Sequence, residues 1–207
     1  LETMNIRKFR HACVVVEKDG ESLVVDPGEW STDFSSPSNV VGVIVTHEHG
    51  DHFSLEQLRA ISAVNPTAVV YAHADVVAQI TNLPTEAVAS SEIKQIGNFS
   101  VQFTGGQHAT IHPDYPVCAN IGVYVDDGAF YYPGDSFVPA PGPVETLALP
   151  AAAPWLKMSE AMNFLETTAP HSYFPTHNAI LSDEGKAVAT AWLTRTAEKI
   201  GCQLYEA

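Results

Sequence analysis

The first half of the chain carries short β-rich runs separated by turn residues. Two of these runs, Ala12 to Glu17 and Ser22 to Asp26, flank the segment Lys18-Asp19-Gly20, which predicts a hairpin. The next run, Val40 to Thr46, is almost continuously apolar, as expected for a strand that is buried on both faces. Another strand is predicted over Ala68 to Ala72.

Helical patterns alternate with these strands. Ser54-Leu55-Glu56-Gln57 has the spacing of a capping box, and Leu55, Leu58 and Ile61 recur at helical intervals, which predicts a helix that begins beside Ser54. A short helix is predicted over Asp75 to Ile80, before a break near Leu83-Pro84.

The second half repeats this outline from about Ile93. Strands are predicted over Ser100 to Thr104, Ile121 to Val125, Ala129 to Tyr132, Thr146 to Leu149 and Ser172 to Pro175. Amphipathic helices are predicted over Met158 to Thr168 and Glu184 to Ile200. The order predicts an α+β fold in which two sheets pack together and helices cover them outside.

The composition favours a single domain over residues 1–207. Apolar residues make up 45% of the chain, which is enough for a substantial core. The balance of 10 Lys+Arg against 24 Asp+Glu gives a net charge of -14, which opposes binding to nucleic acid. The expected partner is therefore a small molecule. Residues 1–3 precede Met4 and are interpreted as a remnant of cloning.

Cysteine usage and hydropathy indicate a reducing compartment. Cys13, Cys118 and Cys202 are odd in number and widely separated, so they do not form a disulfide framework. No stretch approaches the roughly 20 apolar residues that span a bilayer, and the N-terminus lacks the apolar run of a secretory signal. We therefore expect a cytoplasmic protein without stable membrane insertion. The oligomeric state stays open.

The strongest chemical signal follows the apolar run Val40 to Thr46. The segment His47-Glu48-His49-Gly50-Asp51-His52 has the pattern His-x-His-x-Asp-His. Residues two apart in an extended segment project to the same side, so His47 and His49 can grip one ion while Asp51 and His52 turn toward a second. Imidazole and carboxylate suit zinc, iron or manganese, and the lack of thiolates favours an open catalytic site over a structural one.

Several later motifs extend this signal, and together they make the chain resemble the metallo-β-lactamase superfamily. The motifs are Gly-Gly-Gln-His108, Tyr-Pro-Gly-Asp135-Ser and Phe-Pro-Thr-His177-Asn. The resemblance implies a four-layer αββα sandwich of the metallo-β-lactamase type and two divalent metal ions, zinc first, with manganese or iron as alternatives. The implied metal ligands are His47, His49, Asp51, His52, His108, Asp135 and His177, with His112 and His171 as competitors for the last two histidines.

Other residues receive supporting roles. Asp26, in Val-Val-Asp-Pro-Gly, is expected to hold the histidine loop by hydrogen bonds without ligating metal. Phe9-Arg10-His11-Ala12 resembles the branch that contains L-ascorbate-6-phosphate lactonase and N-acyl-phosphatidylethanolamine phospholipase D, although that branch commonly has Gly where Arg10 stands. His11 and Tyr115 are expected to contact substrate, and His112 to act as a catalytic acid. Aromatic residues in predicted loops could line an apolar substrate pocket: Trp30, Phe34, Phe53 and Trp155.

The resemblance implies a binuclear hydrolase that uses a metal-bridging hydroxide to cleave an ester, lactone, amide or phosphodiester bond. Asp51 would accept the proton of the water, and Asp135 would set the distance between the ions. A mononuclear iron enzyme that oxidises a persulfide is the alternative. A noncatalytic metal-binding domain is the third hypothesis.

Overall fold

The computed structural model describes residues 4–207, so the interpretation of residues 1–3 lies outside the described residues. The first sheet has six strands in the order β1-β2-β3-β4-β5-β6. Its strands are β1 Asn5–Lys8, β2 Val14–Lys18, β3 Glu21–Val25, β4 Val40–Val45, β5 Val69–Ala72 and β6 Thr85–Ala87. β1, β2 and β3 pair antiparallel, whereas β3 to β6 pair in parallel. Helices α1 Leu55–Val64 and α2 Ala74–Val77 connect the parallel strands.

The second sheet has seven strands in the order β13-β12-β11-β10-β9-β8-β7. Its strands are β7 Ile93–Ile96, β8 Phe99–Gly105, β9 Ile121–Val125, β10 Phe130–Tyr132, β11 Thr146–Pro150, β12 Ser172–Thr176 and β13 Gln203–Leu204. β7 to β10 pair antiparallel, and β10 to β13 pair in parallel. Helices α3 Met158–Thr168 and α4 Asp183–Ile200 flank β12 along the chain. Each sheet therefore uses one continuous half of the chain.

Three apolar clusters fill the spaces between four layers. Alternate residues of β2 belong to two of these clusters, because successive side chains of a strand point to opposite faces. Val14 and Val16 join the cluster shared by the two sheets, and Val15 joins the cluster beneath α1 and α2. A third cluster lies between the second sheet and the helices α3 and α4. The four-layer αββα arrangement predicted from the sequence is confirmed.

Local details differ from the predicted elements in several places, and β6 and β13 are among the strands that were not predicted. β1 lies in a segment for which no strand was predicted, and it pairs with β2 at the edge of the first sheet. The helix predicted over Asp75 to Ile80 ends earlier, at Val77. Hydrogen bonds from Gln79 to Val76 and from Ile80 to Val77 then tighten the backbone to a three-residue spacing.

The site positions share one end of this sandwich. Asp26, His47 and Asp135 follow β3, β4 and β10 within three residues, and His177 directly follows β12. The carboxyl ends of parallel strands meet at one edge of a sheet, so these positions gather at one end of each sheet. Among residues 4–207, no helix is both long and apolar enough to cross a membrane.

Candidate metal centre

Asp26 organises the loop that carries the histidine cluster. It is fully buried, and its carboxylate accepts hydrogen bonds from the Thr46 amide and hydroxyl, both at 2.7 Å. His52 Nδ1 lies 2.6 Å from Asp26 Oδ2, so the imidazole donates its Nδ1 proton to the carboxylate. Asp26 adopts a left-handed backbone with φ of 50°, a conformation that turns the chain sharply after β3.

His47, His49 and His108 form one group of possible ligands whose ring nitrogens lie within 4.8 Å of one another. His47 Nε2 lies 3.1 Å from His49 Nδ1, so His47 presents Nε2 and His49 presents Nδ1 to the same point of the site. Burial lowers the pKa of His47 well below its ordinary value, and this imidazole is therefore neutral at pH 7. Neutral imidazole is the form that binds metal.

A second group contains His11, Asp51, His52 and His177, again with ligand atoms within 4.8 Å of one another. Asp51 Oδ2 lies 2.8 Å from His11 Nε2 and 3.1 Å from His177 Nε2. Burial alone would raise the pKa of Asp51, but these histidines and His52 hold it below the ordinary range. The group is thus a carboxylate surrounded by imidazoles.

Asp135 lies between the two groups. Its Oδ1 is 3.2 Å from His52 Nε2, and its Oδ2 is 3.3 Å from His108 Nε2 and 3.1 Å from His177 Nε2. Burial favours the neutral form of this carboxyl, yet the neighbouring histidines, His52 above all, keep its pKa well below the usual value. One ionised side chain therefore contacts members of both groups.

The donor set fits divalent metal. Four of its atoms are buried and have no hydrogen-bond partner: His52 Nε2, His108 Nε2, His177 Nε2 and Asp135 Oδ1. The other ring nitrogen of each histidine faces an oxygen acceptor: Asp26 for His52, and the carbonyls of Ala109 and Ala152 for His108 and His177. In a neutral imidazole the proton then sits on Nδ1, and the Nε2 lone pair points into the site. A cation would stabilise these converging lone pairs and buried carboxylates.

Without a cation the site retains protons instead. Burial would lower the pKa of His52, but the carboxylates of Asp135 and Asp26 raise it well above its ordinary value. Burial likewise opposes the charge on His177, while Asp135 and Asp51 raise its pKa to about 9. Protons and metal therefore compete for the same nitrogens.

The structure brings the seven predicted ligands together, and Asp26 supports their loop as expected. His11 was expected to contact substrate, but its fully buried ring lies inside the second group. Tyr115 is 68% exposed and lines a small pocket of about 70 Å³ together with His49 and His108. His112 lies outside the ligand groups with an exposed side chain, and His171 is likewise exposed outside them. The catalytic role of His112 stays a prediction.

Two of the four aromatic residues considered for a pocket wall belong to the site. Trp30 packs against His11 with ring centroids 4.6 Å apart, and Trp155 Nε1 donates to Asp135 Oδ2 at 2.8 Å. Phe34 and Phe53 instead pack in the cluster beneath α1 and α2. The hydrogen bond of Trp155 was not predicted, because no local motif links an indole to a carboxylate twenty residues away.

Backbone groups and a thiol complete the surroundings. The roles of the Ala109 and Ala152 carbonyls were not predicted either, since any residue can supply a carbonyl. Cys118, half-buried, places its Sγ 3.9 Å from His49 Nε2. At Arg10 the backbone φ is not positive, so the position has no conformational need for the Gly found in the resembling branch.

Known structures share this fold over almost the whole chain. A structure described as a metal-dependent hydrolase from Parabacteroides distasonis matches with a TM-score of 0.76 and 19% identity, covering 99% of this chain and 95% of that chain. Igni18, a metallo hydrolase from Ignicoccus hospitalis, matches with a TM-score of 0.72 and 16% identity, covering 99% of this chain and 94% of that chain. CmlA, a diiron β-hydroxylase from Streptomyces venezuelae, matches with a TM-score of 0.70 and 16% identity, covering 99% of this chain and 53% of that chain. The fold thus serves more than one metal chemistry.

Sequence similarity gives the family. Protein Rv0786c of Mycobacterium tuberculosis is 35% identical over 196 residues, which is 92% of each chain. Residues 5–177 match the family described as the β-lactamase superfamily domain, a range that includes every ligand candidate. With the αββα sandwich and its His/Asp cluster, the chain belongs to the metallo-β-lactamase superfamily.

Proposed function

We propose that this protein is a binuclear metal-dependent hydrolase that acts on a small-molecule substrate. One observation carries the proposal: three buried imidazole Nε2 atoms and Asp135 Oδ1 converge without hydrogen-bond partners. His47, His49 and His108 would hold one ion, and Asp51, His52 and His177 the other. Asp135 contacts histidines of both groups and would bridge the ions. Divalent ions at such a site supply Lewis acidity that activates water and stabilises developing negative charge.

Asp51 is the more solvent-accessible of the two carboxylates in this set. Its side chain is 18% exposed, whereas that of Asp135 is 4% exposed. The lowered pKa of Asp51 makes its carboxylate a weak base. We therefore assign to Asp51 the orientation of the attacking water by an accepted hydrogen bond, and not the storage of its proton.

The surroundings of the site favour a neutral substrate. The small pocket beside His49 and His108 is lined mainly by Ala109, Ile111, Tyr115, Pro116, Val117 and Cys118, with no Lys or Arg. An anionic group would find no cationic side chain there, so esters, lactones and amides are favoured over phosphodiesters. The net charge of -14 likewise disfavours polyanionic partners.

The first experiment measures metal content and hydrolysis together. Protein purified without chelator is analysed for metal identity and number, reloaded with zinc, manganese or iron, and assayed on lactones, esters, amides and phosphodiesters. We expect two ions per chain and turnover of a neutral carbonyl substrate. Fully metallated protein that hydrolyses no member of this panel would contradict the proposal. A single iron with oxygen consumption on a persulfide, or two irons with oxygen consumption, would assign the site to oxidation.

Asp135→Asn tests the bridging role. The substitution removes the charge between the two groups, so we expect loss of the second ion and at least about a 100-fold fall in turnover. His171→Ala is the matched control, because this exposed histidine lies outside the ligand groups. An Asp135→Asn protein that retains two ions and full turnover would rule out the bridge.

A further inference from the structure

His11 differs from the other histidines of the second group in what its two ring nitrogens face. Its Nδ1 accepts a hydrogen bond from the backbone N–H of Ala179 at 3.3 Å. Its Nε2 lies 2.8 Å from Asp51 Oδ2. A neutral imidazole has one donor and one acceptor nitrogen, so the proton must sit on Nε2 and point to the carboxylate. The lone pair of the ring is then used by Ala179 and faces away from the site.

The neighbouring histidines have the opposite arrangement. Nδ1 of His52 faces the Asp26 carboxylate, and Nδ1 of His177 faces the carbonyl of Ala152. In the neutral form that binds metal, both therefore carry the proton on Nδ1 and present a bare Nε2. Metal on His11 Nε2 would force its proton onto Nδ1, which would set two N–H donors against each other 3.3 Å apart. The three histidines lie close together, but His11 carries its ring proton on Nε2, whereas neutral His52 and His177 carry theirs on Nδ1.

The surroundings of His11 fix its ring in this orientation. The residue is fully buried, and Trp30 packs against the imidazole. Its backbone has a φ of 69°, in the left-handed region, and its carbonyl accepts a hydrogen bond from the His177 amide at 2.9 Å. Strained backbone that the surrounding structure enforces is typical of functional sites. His11 thus contacts Asp51 through its side chain and His177 through its main chain.

We propose that His11 is not a metal ligand but a positioning residue, which donates its Nε2 proton to Asp51 Oδ2 and fixes the orientation of that carboxylate. With Oδ2 held by His11, Asp51 can turn neither oxygen freely, and its ligand geometry is set before metal arrives. The inference rests on the proposed function only in requiring that the cluster binds metal. It is independent of which bond the enzyme cleaves.

The position of the proton can be observed directly. Long-range ¹H–¹⁵N correlation spectra of the zinc-loaded protein report, for each imidazole, which nitrogen carries a proton and which binds metal. We expect a protonated Nε2 and an acceptor Nδ1 for His11, with the reverse protonation for His52 and His177. A zinc-bound Nε2 on His11 overturns the proposal. This measurement needs no substrate, so a failed hydrolase screen would leave its result intact.

A pair of substitutions tests the donor without relying on turnover. Gln at position 11 can still offer an N–H to Asp51 but is a poor metal ligand, whereas Leu offers no donor; both meet the same backbone strain. Zinc affinity is measured by competition with a chromophoric chelator, after circular dichroism has verified the fold. His11→Gln should stay within a few-fold of the wild type, and His11→Leu should weaken binding by about 10–100-fold. Equal losses in both variants, or equal retention, overturn the donor role.

Discussion

At the scale of single residues, the indole of Trp155 sets how Asp135 presents its oxygens. Its Nε1 donates to Oδ2 at 2.8 Å, the oxygen that also faces His108 and His177. Trp155→Phe keeps an aromatic ring beside Phe137 but removes this donor. We expect metal affinity to fall by about 10–100-fold in a chelator competition assay.

The control for this substitution is Trp192→Phe, because Trp192 lies 45% exposed on α4. Its metal affinity should match the wild type. If Trp155→Phe also bound metal with unchanged affinity, the indole would have no part in holding the carboxylate.

His177 makes metal binding depend on pH. The pKa of His177 in the folded, metal-free protein is about 9, against an ordinary value of 6.5. The contacts of protonated His177 with the carboxylates therefore stabilise the metal-free fold fully below pH 6.5, and this stabilisation is lost as the pH rises through 9. Metal must displace this proton. Apparent affinity should therefore rise with pH; displacement of the His177 proton contributes up to about 10-fold per unit, and this contribution levels off above about pH 9.

Calorimetric titration with zinc in buffers of different ionisation enthalpy measures the protons released. We expect release at pH 7 that declines above pH 9. Binding at pH 7 without proton release would show that His177 and its neighbours are not protonated in the metal-free site.

At this scale the sequence indicated the candidate ligands and one of their supports, Asp26, but not the other supports. His47 to His52 were identifiable because six successive residues carry the pattern, and His108, Asp135 and His177 because local motifs surround them. The roles of His11 and Trp155 depend on distances across the fold, so no local pattern indicates them. Carbonyl acceptors such as Ala152 leave no sequence signal at all.

At the scale of elements, the turn after β3 packs directly on the histidine loop. A Cβ at Gly28 would lie 2.1 Å from the Asp51 carbonyl oxygen and 2.6 Å from the His52 amide nitrogen. Backbone atoms cannot yield as a flexible side chain can, so Gly28→Ala should displace Asp51 and His52. We expect zinc affinity to fall by at least about 10-fold.

Gly50→Ala gives a matched control in the histidine loop itself. A Cβ there would meet only the Glu29 carboxylate, at 3.2 Å, and this exposed side chain can move aside. Metal affinity should stay near that of the wild type. Similar losses in the two variants would mean that the loop tolerates no added methyl group anywhere, and that the contact at Gly28 is not special.

The elements themselves were predictable where burial or capping leaves a pattern. Ser54 accepts the Gln57 amide at 3.3 Å and begins α1, as its spacing indicates, although the Gln57 side chain donates to the Ser31 carbonyl instead of completing the box. β1 was missed because Ile6 is its single buried residue. An edge strand of this kind is specified by its pairing with β2, which the local sequence does not contain.

At the scale of the whole molecule, the two halves of the chain meet at the metal centre. The first sheet lies within residues 5–87 and the second within residues 93–204. Of the ligand candidates, His47, His49, Asp51 and His52 come from the first half, and His108, Asp135 and His177 from the second. The alternating halves were predictable from strand and helix order, but their mutual packing required the apolar cluster that both sheets share.

With this division, bound ions would act as a reversible cross-link between the two halves, in addition to the apolar cluster that both sheets share. Ala89 and Ser90 are exposed in the short connection between the sheets, so a protease site inserted there could be cut in the folded protein. The fragments should dissociate at much lower denaturant once chelator removes the metal, because the shared apolar cluster alone then holds them together. Such a split protein would report metal availability as association of its two parts.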